Sequence, residues 1–372
     1  MPQGLKGKMF QKINMCHLEI TRRCNLRCKY CYATLGANAA PLMTEEMALA
    51  CASQVISGTW QEEITFCFHG GEALLASPEW FEAVCAGVAG LARVAKKRVR
   101  FLIQTNATLL DMQYVQVFLK YRVIVGVSLD GPPAINDISR GLSDKTLEGI
   151  RCLKEAGIYP GVLMVLSRIN LDRLDDVLDF FAALGLRRIQ TNTIWRMGRA
   201  LENDVALDAA ELVEARRILI ARILRDSPCP VDVDTLEMLG RYLNPRSEAD
   251  LRTLGCCQPF CHAGISLVRF DAHGRVFPCG PSAHMEEYLL GTVGCLNRAK
   301  YKGVLGRFHR KDDRYRRECP RCTASCICSF GCPAEGGMHV ETCKANKILF
   351  GYLEKIDRKR LSDAYRLAGS VR

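Results

Sequence analysis

No uninterrupted apolar run in this 372-residue chain is long enough to cross a bilayer. The longest candidate, Ala83 to Ala92, falls well short of the ~20 residues a spanning helix needs. The first residues, Met1 to Met15, are polar and basic and hold no apolar signal core. Internal repeats and low-complexity tracts are absent too, which excludes a repeat array or a disordered tail as the main architecture. These absences lead to the expectation of a cytoplasmic globular protein. A hydrophobic content of 48% is ordinary for a folded core, and the length suits one large α/β domain with a smaller one.

What is plentiful is cysteine, with 20 residues. A small secreted chain would use them as disulfides, but this one is long and has no export signal. The thiols are grouped, and reduced metal ligation accounts for them better. Three stand in Thr21-Arg22-Arg23-Cys24-Asn25-Leu26-Arg27-Cys28-Lys29-Tyr30-Cys31-Tyr32, spaced C-x3-C-x2-C with no fourth ligand nearby. A [4Fe–4S] cube used for electron transfer takes a cysteine on every iron, so three ligands leave one iron open to chelate another group. Zinc is the competing reading, but zinc knuckles pair C-x2-C units and want four closed ligands. The loop resembles the signature of the radical SAM superfamily, with Tyr30 as the aromatic residue before the third cysteine. That resemblance implies S-adenosylmethionine as the guest, held through its amino and carboxylate groups.

Short β-branched or aromatic runs alternate with amphipathic stretches along the first 200 residues. Strands are expected at His17–Thr21, Ile64–His69, Val99–Thr105, Val123–Leu129, Gly161–Ser167 and Arg188–Ile194. Helices are expected at Thr44–Thr59, Pro78–Lys97, Met112–Tyr121, Lys145–Ala156 and Asp172–Leu184. The alternation argues for a parallel sheet, a partial (β/α)6 TIM-like barrel over residues 1–200, whose active site belongs at the C-terminal ends of the strands. Residues 201–255 read as a helical linker with one clear helix, Asp208–Arg225, stopped by Pro228 and Pro230. Residues 256–345 are cysteine-rich, and a basic helix from Lys344 to about Leu367 closes the chain.

His69-Gly70-Gly71-Glu72 follows the second strand. Paired glycines permit a tight turn and close backbone approach, and Glu72 offers a carboxylate to a cation. The run resembles the GGE motif that binds the ammonium of S-adenosylmethionine, with Ala73 where the family usually has proline. Asn106 ends the third strand, where Thr-Asn-Gly is common. Ser128 and Asp130, in Ser-Leu-Asp-Gly-Pro after the fourth, are candidates for contact with the methionine or ribose, and Arg140 for a fork onto the methionine carboxylate. Met197-Gly198-Arg199-Ala200 after the sixth is similar to peptide-maturing relatives, though a glycine turn is the simpler reading.

The later cysteines run Cys261-x12-Gly274-x4-Cys279, then Cys319-x2-Cys322-x5-Cys328-x3-Cys332, then Cys343. This resembles the seven-cysteine SPASM pattern, which implies two auxiliary [4Fe–4S] clusters. One would take Cys256 or Cys257 with Cys261, Cys279 and Cys332; the other, Cys319, Cys322, Cys328 and Cys343. Cys256 and Cys257 are equal candidates, and Cys326 is an extra thiol inside the set. If neither upstream cysteine binds, the first auxiliary cluster keeps an open iron for substrate. A double zinc ribbon is the alternative.

The formal charge is +11 before thiolates are counted, and each four-thiolate cube carries about −2. Nine Lys or Arg residues lie between Arg298 and Arg317. A solvated face is the bland reading; a dock for an acidic peptide or protein is the sharper one, and the stretch has no RNA-binding motif. With Cys24 so near the start, no peptide-recognition domain is expected before it, so a substrate leader would use that basic segment or a separate recognition protein.

Taken together, the resemblance implies a radical SAM/SPASM enzyme. An external flavodoxin- or ferredoxin-type donor supplies one electron, S-adenosylmethionine is cleaved, and the 5′-deoxyadenosyl radical removes hydrogen from a peptide or protein for oxidation or cross-linking. Anaerobic sulfatase-maturating enzymes are similar in size, but they carry an Asp base directly after the third cysteine of the first auxiliary set. Cys279 is followed here by Gly280, and the nearby acids Asp271 and Glu286 have no assigned place, so no catalytic base is named. A radical dehydrogenase of a small molecule and a non-enzymatic zinc or cluster scaffold are the alternatives. Anaerobic iron and sulfide analysis separates cluster from scaffold: three cubes require about twelve irons per chain, whereas a few zincs without brown colour identify the scaffold.

Overall fold

A computed structural model describes residues 9–33, 41–225, 229–245, 261–309, 319–328, 332, 334 and 339–371. Cys256 and Cys257 lie outside these, as do residues 310–318 of the basic stretch. Strands β1 (Met15–Glu19), β2 (Glu63–His69), β3 (Arg98–Thr105), β4 (Ile124–Ser128), β5 (Gly161–Leu166) and β6 (Arg188–Thr193) pair in chain order, all parallel. β1 starts two residues earlier than the sequence suggested and stops before Ile20. There the chain turns away, with Ile20 N–H donating to the His69 carbonyl at 2.8 Å.

Two further parallel strands extend this set. β7 (Val231–Asp232) pairs with β6, and β8 (Leu267–Phe270) pairs with the free side of β1. Antiparallel β9 (Arg275–Phe277), β10 (Gly291–Thr292) and β11 (Cys295–Leu296) continue from β8, making one eleven-stranded sheet. Its edges, β7 and β11, are not paired with each other among the described residues, so the barrel is open.

Helices cross between successive parallel strands, as right-handed crossovers require. They are α1 (Glu45–Gly58), α2 (Pro78–Val94), α3 (Met112–Tyr121), α4 (Pro133–Ser139), α5 (Ser143–Glu155), α6 (Leu174–Ala183), α7 (Ala209–Ile223) and, after β7, α8 (Val233–Leu243). Their starts carry sequence-readable caps. Thr44, Ser77 and Asp111 accept from the first turns of α1, α2 and α3, and Asp208 with Glu211 closes a capping box on α7.

Two expectations change. The stretch expected to be a helical linker contains β7, whose two residues are too few to show a period; Asp232 ends it and caps α8 through the Thr235 N–H. The single basic closing helix is two, α10 (His339–Leu353) and α11 (Arg358–Ser370), following α9 (Arg298–Phe308). The break falls at Asp357, which caps α11 by accepting from Arg360 N–H at 2.7 Å. No helix among the described residues is long and apolar enough to cross a membrane.

Alternation along the strands gives the sheet two unlike faces. Leu18, Phe68, Ile103 and Val125 form one register row against the helices, all essentially buried. Phe81 of α2 sits in this layer, with its ring 5.2 Å from Phe68 and 5.8 Å from Phe118, edge on to both. The opposite, concave face carries His17, Cys67, His69, Leu102, Gln104 and Ser128, most of them half-buried. A partly polar concave face beside a dry outer core is where a substrate has room. Phe81→Ala, which empties the centre of the aromatic layer, is expected to lower unfolding free energy by about 3–5 kcal/mol. Chemical denaturation checks this, and an unchanged midpoint contradicts the packing described.

Candidate active site at the C-terminal rim of the sheet

Because β1 to β6 run parallel, the loops after them meet at one rim. The loop after β1 carries Cys24, Cys28 and Cys31, and the other rim loops hold it. Gly71 N–H donates to the Thr21 carbonyl (2.8 Å) and Glu72 N–H to that of Arg23 (2.9 Å). Lys29 N–H donates to Ser139 (2.9 Å), and Arg199 N–H donates to Cys31 (3.0 Å) while its Nε reaches Cys28 (2.9 Å).

These contacts explain the rim glycines. A Cβ at Gly71 would stand 2.1 Å from the Arg23 carbonyl oxygen, one at Gly70 2.4 Å from that of Thr21, and one at Gly198 2.5 Å from that of Cys31. The glycine pair therefore serves first to let the cysteine loop lie against the β2 loop. The same holds for Gly198 after β6, whose φ of +55° also suits glycine.

The sequence-predicted polar residues fall into two buried groups and one open position. Glu72 accepts from Thr105 Oγ1 (2.6 Å), Leu74 N–H (2.9 Å) and Asn106 N–H (2.8 Å). Asn106 in turn donates through Nδ2 to Asn25 in the cysteine loop (2.9 Å), and Asn25 donates to Thr108 (2.7 Å). Burial raises the Glu72 pKa while those three donors pull it down.

In the second group, fully buried Asp130 accepts from the Tyr30 hydroxyl, Ser139 Oγ (2.8 Å) and Val165 N–H (2.9 Å). Arg140 Nε lies 3.0 Å from the same carboxylate, and its guanidinium stands 5.3 Å over the Tyr30 ring. The contacts of Asp130 therefore anchor the cysteine loop through Tyr30. Ser128 stands apart on the concave face, accepting from Gln104 Nε2 at 2.9 Å.

A cluster's irons need thiolates, and the loop's chemistry fits that need. Burial pushes the Cys24 thiol up to about 12; Glu72, Cys28 and Cys31 add to this, against the Leu26 N–H. Burial likewise raises Cys28, with Cys31 and Asp130 adding and Arg140 opposing. The two thiols that burial raises, Cys24 and Cys28, give up their protons readily only beside bound cations. Among the described residues no group of three or more His, Cys, Asp or Glu is already gathered into a metal cage.

Of the later cysteines, Cys261, Cys279 and Cys332 share one buried cluster with Ala263, Leu267 and Phe308. Cys319 and Cys322 flank one tight turn, and Asn346 of α10, one helical turn from Cys343, donates to Cys328 Sγ at 3.3 Å. Of the basic stretch, α9 shows Arg298, Lys300, Lys302 and Arg307 exposed.

Several residues beside the site had no place in the sequence reading. Arg269 of β8 is buried and donates through Nε (2.9 Å) to Glu19 of β1, with Nη2 2.7 Å from the same oxygen. Arg22 Nε donates to the other oxygen of Glu19 at 3.0 Å. Asp271 lies 3.9 Å from Arg22 and 2.6 Å from Arg275, which also pairs with Glu286, so both acids left unplaced by the sequence belong to this ion chain. His17 is held neutral, its pKa lowered to about 4 by burial and Arg269, and its ring stacks 6.0 Å from His69. A charge inside the apolar run Leu267-Val268-Arg269-Phe270 was the one available signal.

Asp130→Asn removes the counter-charge of Arg140 in a buried setting, a change of about 3–5 kcal/mol. A lowered melting temperature and a lower iron content after reconstitution are expected. Wild-type values for both would contradict the anchoring role.

Residues 18–181 match the Radical SAM superfamily. The chain is 26% identical over 345 residues to the serine-type anaerobic sulfatase-maturating enzyme of Klebsiella aerogenes, covering 88% of this chain and 80% of that one. Its fold matches that of native anSMEcpe with bound AdoMet and Cp18Cys peptide at a TM-score of 0.76 and 19% identity, over 95% and 98% of the two chains. Streptococcus suis SuiB bound to precursor peptide SuiA matches at 0.61 and 15% identity, over 86% and 72%. The cysteine loop, the parallel rim around it and these likenesses agree: the chain carries a radical SAM domain and is homologous to the anaerobic sulfatase-maturating enzymes.

Proposed function

We propose that the chain reductively cleaves S-adenosylmethionine and uses the resulting radical to modify a peptide or protein by oxidation or cross-linking. The observation that carries this reading is the three-thiol loop, fixed at the sheet's C-terminal rim and opening onto a concave face of half-buried polar side chains. When bound, a [4Fe–4S] cluster with one open iron chelates S-adenosylmethionine and supplies the electron that releases a 5′-deoxyadenosyl radical able to abstract hydrogen from unactivated carbon. Cys24, Cys28 and Cys31 are its proposed ligands.

The chain's own residues do the positioning. Gly70, Gly71 and Glu72 present backbone and carboxylate beside the loop, Asn106 orients Asn25, and Asp130 holds Tyr30 and Arg140 next to Cys28. Rigid placement of the reacting atoms is what the protein contributes to radical chemistry of this kind. The auxiliary ligand sets given above are proposed for two further clusters.

Formylglycine formation is disfavoured. Gly280 follows Cys279, and among the described residues only Arg269 Nη1 and Tyr32 Oη lie within 4 Å of where its Cβ would be. Among the described residues no carboxylate stands within 4 Å of that position.

Anaerobically reconstituted protein given dithionite and S-adenosylmethionine should form 5′-deoxyadenosine, and a Cys24/Cys28/Cys31 triple-alanine variant should form none. Equal yields from both would reject the reading.

A further inference from the structure

One helix begins against the rule that most others follow. α1, α2, α3, α7, α8, α9 and α11 are each capped by a Thr, Ser, Asp or Asn side chain. α5 has Leu142 at that position, with no side-chain cap and a left-handed backbone (φ 53°, ψ 41°) that leucine adopts only at a cost. Asp137 does the capping instead, accepting from Ser143 N–H at 2.9 Å and Ser143 Oγ at 2.6 Å. The Leu142 side chain is 52% exposed, so little burial offsets the cost. A local rule broken without internal compensation points to function.

Leu142 lies beside the three-thiol loop. Gly141 N–H donates to the Asn136 carbonyl at 3.0 Å, folding residues 136–143 into a compact turn in which Ile138 is also exposed. Lys29 N–H donates to Ser139, next to Ile138, so this turn adjoins half-buried Cys28. Asn203 Nδ2 donates to the Lys29 carbonyl at 3.1 Å and brings exposed Leu201 to the same loop.

The loop itself is basic towards solvent. Arg23, Arg27 and Lys29 are exposed, and none is in an ion pair among the described residues. Half-buried Arg199 adds a fourth cation, bonded to the Cys28 carbonyl. Against these stand two exposed acids of the neighbouring segments, Asp137 and Glu202. Asp204 pairs with Arg168 at 2.6 Å, and Asp144 lines a groove along α5 with Arg151 and Lys154. Cations are in excess around the three apolar side chains.

An apolar centre with a charged surround is the make-up of a specific protein interface, and charge of one sign steers a partner of the other. We propose that Ile138, Leu142 and Leu201, with Arg23, Arg27 and Lys29, form the docking surface for an acidic one-electron carrier protein. The carrier gives up one electron there, and a [4Fe–4S]2+ cluster on the three thiols takes it up; no bond forms or breaks. Electron tunnelling falls off steeply with distance, and this surface meets the thiols at Cys28. The proposal deepens the functional reading above and rests on it.

The test uses anaerobically reconstituted holoprotein and a flavodoxin as the carrier. Oxidised flavodoxin should bind wild type saturably in calorimetry, and more weakly as salt rises. Arg27→Glu combined with Lys29→Glu should weaken binding about tenfold and flatten the salt dependence. Leu142→Asn should weaken it about fivefold yet leave the melting temperature equal or higher, because asparagine caps helices and tolerates the left-handed backbone. With flavodoxin hydroquinone as donor, both variants should form 5′-deoxyadenosine more slowly by similar factors. With dithionite, which needs no dock, they should match wild type.

Wild-type affinity in both variants overturns the proposal. So does an equal loss of rate with both donors, which would assign the patch to the peptide substrate or to the loop's integrity. A lowered melting temperature in Leu142→Asn overturns it too, by assigning Leu142 to stability. Wild type that forms 5′-deoxyadenosine with dithionite but does not bind flavodoxin defeats the dock alone, whereas wild type that forms none defeats the reading beneath it.

Discussion

Backbone packed on backbone at the rim is the constraint on which everything else in the site depends. Thr21, Arg23 and Cys31 present carbonyl oxygens where Gly70, Gly71 and Gly198 have no side chain, and any Cβ would collide at 2.1–2.5 Å. Ordering a loop costs about 1–2 kcal/mol per residue in backbone entropy, so three thiols on a free loop would be a poor cage. Here the entropy is offset by hydrogen bonds from the loops after β2, β3, β4 and β6. The carboxylates serve the same end: Glu72 and Asp130 are buried and satisfied, Glu72 reaching the cysteine loop through Asn106 and Asp130 bonding the loop's own Tyr30.

A second consequence concerns how the cysteine-rich region is attached. β8 adds to β1 in parallel, so the later part of the chain continues the sheet of the radical SAM domain. Glu19, at the end of β1, then gathers Arg22 and Arg269, and the chain of charges runs on through Asp271 to Arg275. Buried ion pairs of this kind contribute little net stability but penalise any arrangement that separates the partners. With the Arg22 Nη2 bond to the Ala283 carbonyl (2.7 Å), they hold the start of the cysteine loop against the segment that follows β8 and β9.

Much of this was legible in the sequence, for identifiable reasons. The three cysteines are local, so their spacing pointed to the superfamily that residues 18–181 match. The first six strands alternate cleanly, and their ends were placed to within a residue or two. β7 was missed because two residues carry no period, and the split between α10 and α11 because charge continues across it while the Asp357 cap went unweighed. Asp130 read as a ligand contact because a carboxylate after a strand has that meaning at a rim; two of its internal partners, Tyr30 and Val165, stand 100 and 35 residues away. Arg269 was visible only as a charge in an apolar strand, since its partner Glu19 is 250 residues away.

The central claim is that the fixed loop leaves one iron free to chelate S-adenosylmethionine. Electron–nuclear double resonance on the dithionite-reduced protein, with S-adenosylmethionine labelled with 17O in the carboxylate and 15N in the amino group, tests it directly. The account predicts hyperfine coupling from both labels to a reduced cluster, lost when Cys28 is replaced by alanine. A cluster spectrum with no coupling to either label would contradict it.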